Sequence, residues 1–303
     1  MEKVIIIGAG PAGISAALYA VRGNLDPLVI NNGIGALEKA EKIENYYGLE
    51  HPLSGQELYD IGIAQAKALG VRMLDAQVLG VVGFDTFVVK TTEGEFETQS
   101  LILATGSKRA APKIPGIKEF EGRGVSYCAI CDAFFYRGKD VAVLGNGDFA
   151  MHEAKELANT ASTVTIYTNG EEPEFTLEGN ISVNTMKIQS VEGDELVSGI
   201  RLAPDMQAQE TDSDTEKAVG EFCHADGLFI AMGTAGSTEI ARQMGAELTE
   251  KGNILVNENM ETTIPGLYAA GDCTGGLLQV AKAVCDGAQA GINAGKYVRS
   301  LNK

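Results

Sequence analysis

The chain has no tryptophan, only three histidines, and an aromatic share of 6%. His51, His152 and His224 are scattered, so no histidine cluster offers itself as a metal centre. Long apolar runs are missing as well. No stretch of about 18 apolar residues occurs, which argues against a membrane-spanning helix. Positive charge is scarce: 24 Lys and Arg face 41 Asp and Glu, a formal net charge of −17, which argues against nucleic acid as a partner. Met1-Glu2-Lys3 leads at once into a strand and a glycine loop, which is not the pattern of a signal peptide. Five cysteines with one close pair do not make a disulfide scaffold and suit a reducing, cytoplasmic setting.

What is present is an α/β composition. With 303 residues, 45% apolar, and 37 glycines, the chain is long enough for two domains with substantial cores and many tight turns. Lys3 to Ile7 reads as a buried strand, followed by Gly8-Ala9-Gly10-Pro11-Ala12-Gly13 and a helix from about Ile14 to Val21. This strand, G-x-G-x-x-G, helix order is a dinucleotide fingerprint. Gly8 makes the turn, Gly10 lets backbone approach a pyrophosphate, and Gly13 lets helix and strand pack closely. The next strand, Pro27 to Ile30, ends at Asn31, where an acid often binds the adenosine ribose; an asparagine can still hydrogen-bond there. Ser54 to Glu57 forms a capping box opening a helix to about Leu69. Gln77 to Val82 and Thr86 to Thr91 read as a hairpin, and Leu101 to Gly106 as a buried strand ending in a small-residue turn. Pro112 and Pro115-Gly116 mark a linker.

A second fingerprint follows: the strand Asp140 to Leu144, then Gly145-Asn146-Gly147-Asp148-Phe149-Ala150 and a helix to about Asn159. Its next strand, Thr163 to Tyr167, ends without the acid that NAD recognition favours or the arginine that NADP favours. Glu171, Glu172 and Glu174 come after it and would repel a 2′-phosphate. From Glu192 to Glu221 the chain is acidic, with Thr211 to Glu216 as an exposed hairpin tip, and Ala225 to Ala231 reads as a closing strand. The last part returns to the first domain: Thr263 to Asp272 puts an aspartate at a strand end, and a long helix runs from about Leu278. Cys273 reads as a buried small residue, and Cys285 fits an apolar helix face.

Between the fingerprints lies Cys128-Ala129-Ile130-Cys131-Asp132. This spacing closes a small disulfide or holds a low-pKa thiolate, and the adjoining carboxylate can move a proton. Zinc would need a second ligand pair, which Cys223, Cys273 and Cys285 do not form. Two buried core cysteines are the plainer alternative. From Leu101 to Asp140 seven basic residues face four acids, a basic stretch that would steer an acidic partner.

Together the two glycine fingerprints, Ala104-Thr105-Gly106, Gly271-Asp272 and the C-A-x-C-D-x-F-F-Y stretch resemble the low-molecular-weight thioredoxin reductase family over nearly the whole chain. The resemblance implies two Rossmann-like α/β domains, the second inserted into the first: 1–114 and 245–303 for FAD, 115–244 of pyridine-nucleotide type. It implies a homodimer and rotation between domains about hinges near Ile114 to Gly116 and Gly245. It also implies catalysis by Cys128, Cys131 and Asp132: Cys131 facing the flavin, Cys128 attacking thioredoxin, Asp132 as acid/base. The implied FAD site comprises Gly8, Gly10, Pro11, Ala12, Gly13, Asn31, Asn45, Ala104, Thr105, Gly106, Gly271, Asp272, Gln279 and Val280. NADPH-using members carry an H-R-R-type stretch where this chain reads Tyr167-Thr168-Asn169-Gly170, and an arginine where it has Leu278. The resemblance is therefore closest to the clostridial-type branch that takes electrons from ferredoxin.

Overall fold

A computed structural model of the protein describes residues 1–106, 112–127, 129–204, 220–233 and 236–301, without the side chains of 130 and 131. The chain divides into two units, Met1–Arg109 with Ala235–Lys303, and Ala110–Thr234. The second is thus inserted into the first.

The first unit opens with β1 (Glu2–Ile7), α1 (Pro11–Arg22), β2 (Leu28–Asn31), α2 (Gly55–Ala68), β3 (Arg72–Asp75), β4 (Val78–Val82), β5 (Phe87–Thr91) and β6 (Gly94–Leu103). Ser54 caps α2 in the expected reciprocal box with Glu57. β4 and β5 pair antiparallel, as the hairpin reading requires. β6 is longer than its apolar stretch suggests. Its first half pairs antiparallel with β5, while residues 101–103 run parallel to β1.

The inserted unit holds β7 (Val125–Ser126), α3 (Ala129–Asp132), β8 (Asp140–Leu144), α4 (Asp148–Ala158), β9 (Thr163–Tyr167), β10 (Ser182–Asn184), β11 (Ile188–Gly193), β12 (Val197–Leu202), β13 (Phe222–His224) and β14 (Gly227–Ile230). Five of these strands form a parallel sheet ordered β10-β9-β8-β14-β7. β11, β12 and β13 make a separate antiparallel sheet, so the acidic stretch from Glu192 begins as ordered strand rather than loop. The tip at Thr211 to Glu216 lies outside the described residues.

The chain then returns to the first unit with α5 (Ser237–Gln243), β15 (Leu267–Ala269) and α6 (Val280–Leu301). The units part at Thr234, ten residues before the expected boundary of 244. The reason is α5. Ser237 at its start exchanges hydrogen bonds with Thr105, its N–H donating to Thr105 Oγ1 at 2.8 Å and its Oγ accepting the Thr105 N–H at 3.0 Å. That ties α5 to the first unit and moves the second crossing away from Gly245. The first crossing, at Arg109 and Ala110, likewise precedes the expected 114. β15 completes the seven-stranded sheet by pairing with residues 101–103 of β6. Helix α6 lies flush on α1. A Cβ at Gly287 would stand 2.0 Å from the Ala12 carbonyl oxygen, and one at Gly291 would stand 2.3 Å from that of Ala16. Ser15 Oγ donates to the Val284 carbonyl at 2.7 Å across the same seam.

Candidate functional site

In the first unit, Gly8 follows β1 directly, and its φ of +109° suits glycine. A side chain there would also strike the Ala104 carbonyl oxygen at 2.4 Å. At Gly13 a Cβ would lie 1.8 Å from the Gly8 carbonyl oxygen. Gly10 is different: a Cβ there meets nothing within 4 Å. The turn is closed against its own protein at Gly8 and Gly13 and open at Gly10. Gly10 caps α1 without a side-chain hydrogen bond, Pro11 begins the helix, and its first turn holds no acid. The helix N-terminus therefore presents N–H groups and positive dipole to an anion without competition from a carboxylate.

The opposite rim of this cradle is built from both ends of the chain. Gly271, at φ +83°, follows β15, and a Cβ on it would approach the Ala12 methyl at 2.9 Å. Two residues that motif reading missed hold this corner. Lys282 Nζ lies 2.7 Å from the Asp286 carboxylate and donates to the Gly271 carbonyl at 2.8 Å. Asp286 Oδ2 accepts the Gly271 N–H at 3.1 Å. Their only sequence signal is an i, i+4 Lys–Asp pair one turn into α6. Burial raises the Asp272 carboxyl, while the Lys282 charge opposes that shift and Asp286 adds to it.

The other expected cofactor residues are distributed as follows. Pro11 and Ala12 form the first turn of α1. Ala104 is buried, its N–H donating to Ile7, and Gly106 has φ +84°. The Asn45 amide donates to Gln279 Oε1 at 3.0 Å, joining that loop to the residue before Val280 at the start of α6. The Asn31 amide is already engaged: its Nδ2 donates to Asp75 at 2.8 Å and its Oδ1 accepts from Tyr59 at 3.0 Å. A carboxylate thus stands at this strand end after all, supplied by Asp75 on the neighbouring β3.

In the second unit the redox stretch follows β7. Cys128 and the Cys131 side chain lie outside the described residues; the Cys131 backbone is part of α3. Asp132 closes α3, and its Oδ2 accepts from Ser126 Oγ at 2.6 Å. Phe134 and Phe135 follow, both largely exposed and set edge to face, with the Arg137 guanidinium 5.7 Å from the Phe134 ring centre. The outlying cysteines differ. Cys273 is buried, which pushes its thiol up to about 12 and leaves it unreactive. Cys285, expected on an apolar face of α6, is exposed instead, because the small residues of α6 and not Cys285 meet α1.

The second glycine turn repeats the first. A Cβ on Gly145 would strike the Ala231 carbonyl oxygen at 2.2 Å, and one on Gly147 would meet nothing within 4 Å. Its surroundings differ. Phe149 is buried, Asp148 stands in the first helical turn, and the Asn146 carbonyl accepts the Glu174 N–H at 2.7 Å. That last bond folds the glutamate-bearing segment after β9 back onto the turn.

Residues 2–287 match the family profile of pyridine nucleotide-disulphide oxidoreductases. The thioredoxin reductase of Aquifex aeolicus is 36% identical over 99% of this chain and 94% of its own. The chain belongs to the pyridine nucleotide-disulphide oxidoreductase family, among its thioredoxin reductases. Of solved structures, the atypical thioredoxin reductase TRi from Desulfovibrio vulgaris Hildenborough is similar with a TM-score of 0.89 and 38% identity, covering 99% of each chain. A ferredoxin-flavin thioredoxin reductase from Clostridium acetobutylicum is similar with a TM-score of 0.71 and 30% identity, covering 99% of this chain and 98% of that one. Members of the family are FAD-binding flavoproteins, and this chain is one. The open Gly10, the uncapped and acid-free start of α1 and the braced Gly271-Asp272 corner fit that cofactor. No described helix is long and apolar enough to cross a membrane.

Proposed function

We propose that the protein is a thioredoxin reductase whose electrons come from reduced ferredoxin, acting as a homodimer in the cytoplasm. Bound FAD supplies an acceptor able to take electrons singly and pass them on as a pair. In this reading the Gly8 to Gly13 turn and α1 hold the pyrophosphate, Asp272 and Asp75 hold polar groups of the cofactor, and Gln279 and Val280 border the ring. Cys128 and Cys131 carry the reducing equivalents as a dithiol. Cys128 attacks the thioredoxin disulfide, and Cys131 resolves the mixed disulfide. Asp132, oriented by Ser126, gives and takes the proton. The exposed Phe134 and Phe135, with Arg137 beside them, suit an acidic protein partner.

The observation that carries the ferredoxin assignment is the segment folded onto the second glycine turn by the Glu174–Asn146 bond. That segment carries three glutamates and no cation of its own, and the side chain packed on its Gly170 is that of Lys187, just before β11. The energetics agree. A ferredoxin near roughly −400 mV driving a thioredoxin near roughly −270 mV releases on the order of 6 kcal/mol per electron pair. A second reading, with NADPH or NADH as donor, draws on the open Gly147 and the retained turn geometry.

Mixing the oxidised flavoprotein anaerobically with excess NADPH, then NADH, and following flavin absorbance separates the two. We expect no prompt bleaching by either nucleotide, and bleaching with thioredoxin reduction on adding dithionite-reduced ferredoxin. Prompt bleaching by a nucleotide would overturn the ferredoxin reading. Cys128→Ser should abolish thioredoxin reduction, by about a thousandfold or more.

A further inference from the structure

Among the described residues of the second unit, Glu153 is the one buried charged residue, 1% exposed. It lies on α4 and faces the redox stretch: its Oε2 accepts the N–H of Ala129 at 2.6 Å. Ala129 directly follows Cys128. The other oxygen, Oε1, is buried without a hydrogen-bond partner. A carboxylate is costly in such a place, and an apolar residue would fill it more cheaply. Burial raises the carboxyl to about 7; the Ala129 N–H opposes the shift and the Glu156 charge adds to it. The elements packed most closely on α4 contribute Asp132, Tyr136, Asp140 and Tyr167 as titratable groups, with Cys131 on α3, and no cation; α4 itself carries His152, Lys155 and Glu156.

A backbone N–H beside a thiolate stabilises it, and a nearby negative charge destabilises it. Here the N–H after Cys128 is already taken, and by a carboxylate. We propose that Glu153 is a positioning residue of the redox turn: it pins the Ala129 N–H and so sets a negative charge on the peptide group that joins Ala129 to Cys128, keeping the thiols of the pair protonated and the pair strongly reducing. The inference rests on the reading of that pair as redox-active. A dithiol whose reduced form gains less from thiolate formation has the lower potential. Reduction by dithiothreitol breaks the S–S bond, forms an S–H bond on each cysteine and leaves dithiothreitol as its cyclic disulfide. Ionisation of one thiol then releases a proton to solvent, and this last step is what Glu153 opposes.

The test uses the full-length, flavin-loaded protein equilibrated in dithiothreitol buffers at pH 8, with the state of each cysteine read by alkylation and peptide mass. Glu153→Gln keeps an acceptor for Ala129 and removes the charge. We expect its exchange equilibrium to move about tenfold toward the dithiol, a rise of about 30 mV. Alkylation of Cys128 at pH 8 should be several-fold faster than in the wild type. An unchanged potential and alkylation rate in a folded variant would overturn the proposal. Should the variant not fold, the wild type decides: its Cys128 alkylation rate against pH should rise in two steps, the lower near pH 7, and a single step would overturn the proposal. If Cys128 and Cys131 form no disulfide in the wild type, the redox reading itself is wrong and this inference goes with it.

Discussion

Gly8 and Gly145 occupy one position in two units. Each directly follows the first strand of its fingerprint, and each has its missing Cβ pressed on the carbonyl after a neighbouring strand, at 2.4 Å from Ala104 and 2.2 Å from Ala231. Gly10 and Gly147 are open in both. The backbone template is thus common, and it is dictated by strand and helix packing rather than by a ligand. The difference lies around the template. The first turn faces an acid-free helix start and a corner braced by Lys282 and Asp286. The second has Asp148, buried Phe149 and the folded-over Glu174 segment, and its helix directs a carboxyl at the redox stretch. A glycine fingerprint therefore reports a packing solution, and only its surroundings report a ligand.

The sharpest way to break this comparison is to exchange the third small residue. Gly13→Ala would force a Cβ to 1.8 Å from the Gly8 carbonyl oxygen. We expect loss of bound flavin and about 3 kcal/mol or more of stability, read from flavin absorbance and Tm. Ala150→Gly at the matching place should cost about 1 kcal/mol and leave the flavin bound. Equal effects would mean that the turns are not tuned separately.

An effect confined to one pH range comes from Glu153. Its carboxyl is raised on folding, so the charged form is disfavoured in the native state, and stability falls as pH climbs from the unfolded value toward about 7. The loss should total about 3 kcal/mol. Glu153→Gln should flatten that slope, so that the variant melts higher than the wild type at pH 8 and not at pH 4.5. Denaturant midpoints across this range check it.

The smallest expected effect sharpens the other side of the contrast. Replacing Glu171 and Glu172 together with Arg should give a gain of about tenfold in NADPH-driven flavin reduction over a very low baseline, read by stopped-flow bleaching. No gain would mean that buried Phe149 and the folded-over Glu174 segment, not charge, keep the nucleotide out.

Much of this was legible in the sequence because the determining signals are local. Both fingerprints, the capping box at Ser54 and the β4–β5 hairpin rest on residues a few positions apart. What escaped depends on distant partners. β6 looked like a short strand from Leu101 running into a small-residue turn, because its polar first half is strand only through pairing with β5. Helix α5 went to the wrong unit, because its allegiance rests on the Thr105–Ser237 hydrogen bonds across 132 positions. Asn31 read as a possible ribose ligand, and only the parallel pairing of β2 with β3 brings Asp75 to its amide. The Lys282–Asp286 pair carried a visible spacing but no hint that it brackets Gly271.

The partner exchange along β6 bears on the order in which a ribosome can complete this molecule. Residues 101–103 find their outer neighbour only in β15, more than 160 positions later. The inserted unit is one uninterrupted segment and gathers all its strands while synthesis continues. The first unit must wait with an open sheet edge until the carboxyl-terminal stretch emerges and α6 settles on α1. Cofactor capture should thereby be a late event, expected only once β15 and α6 have emerged.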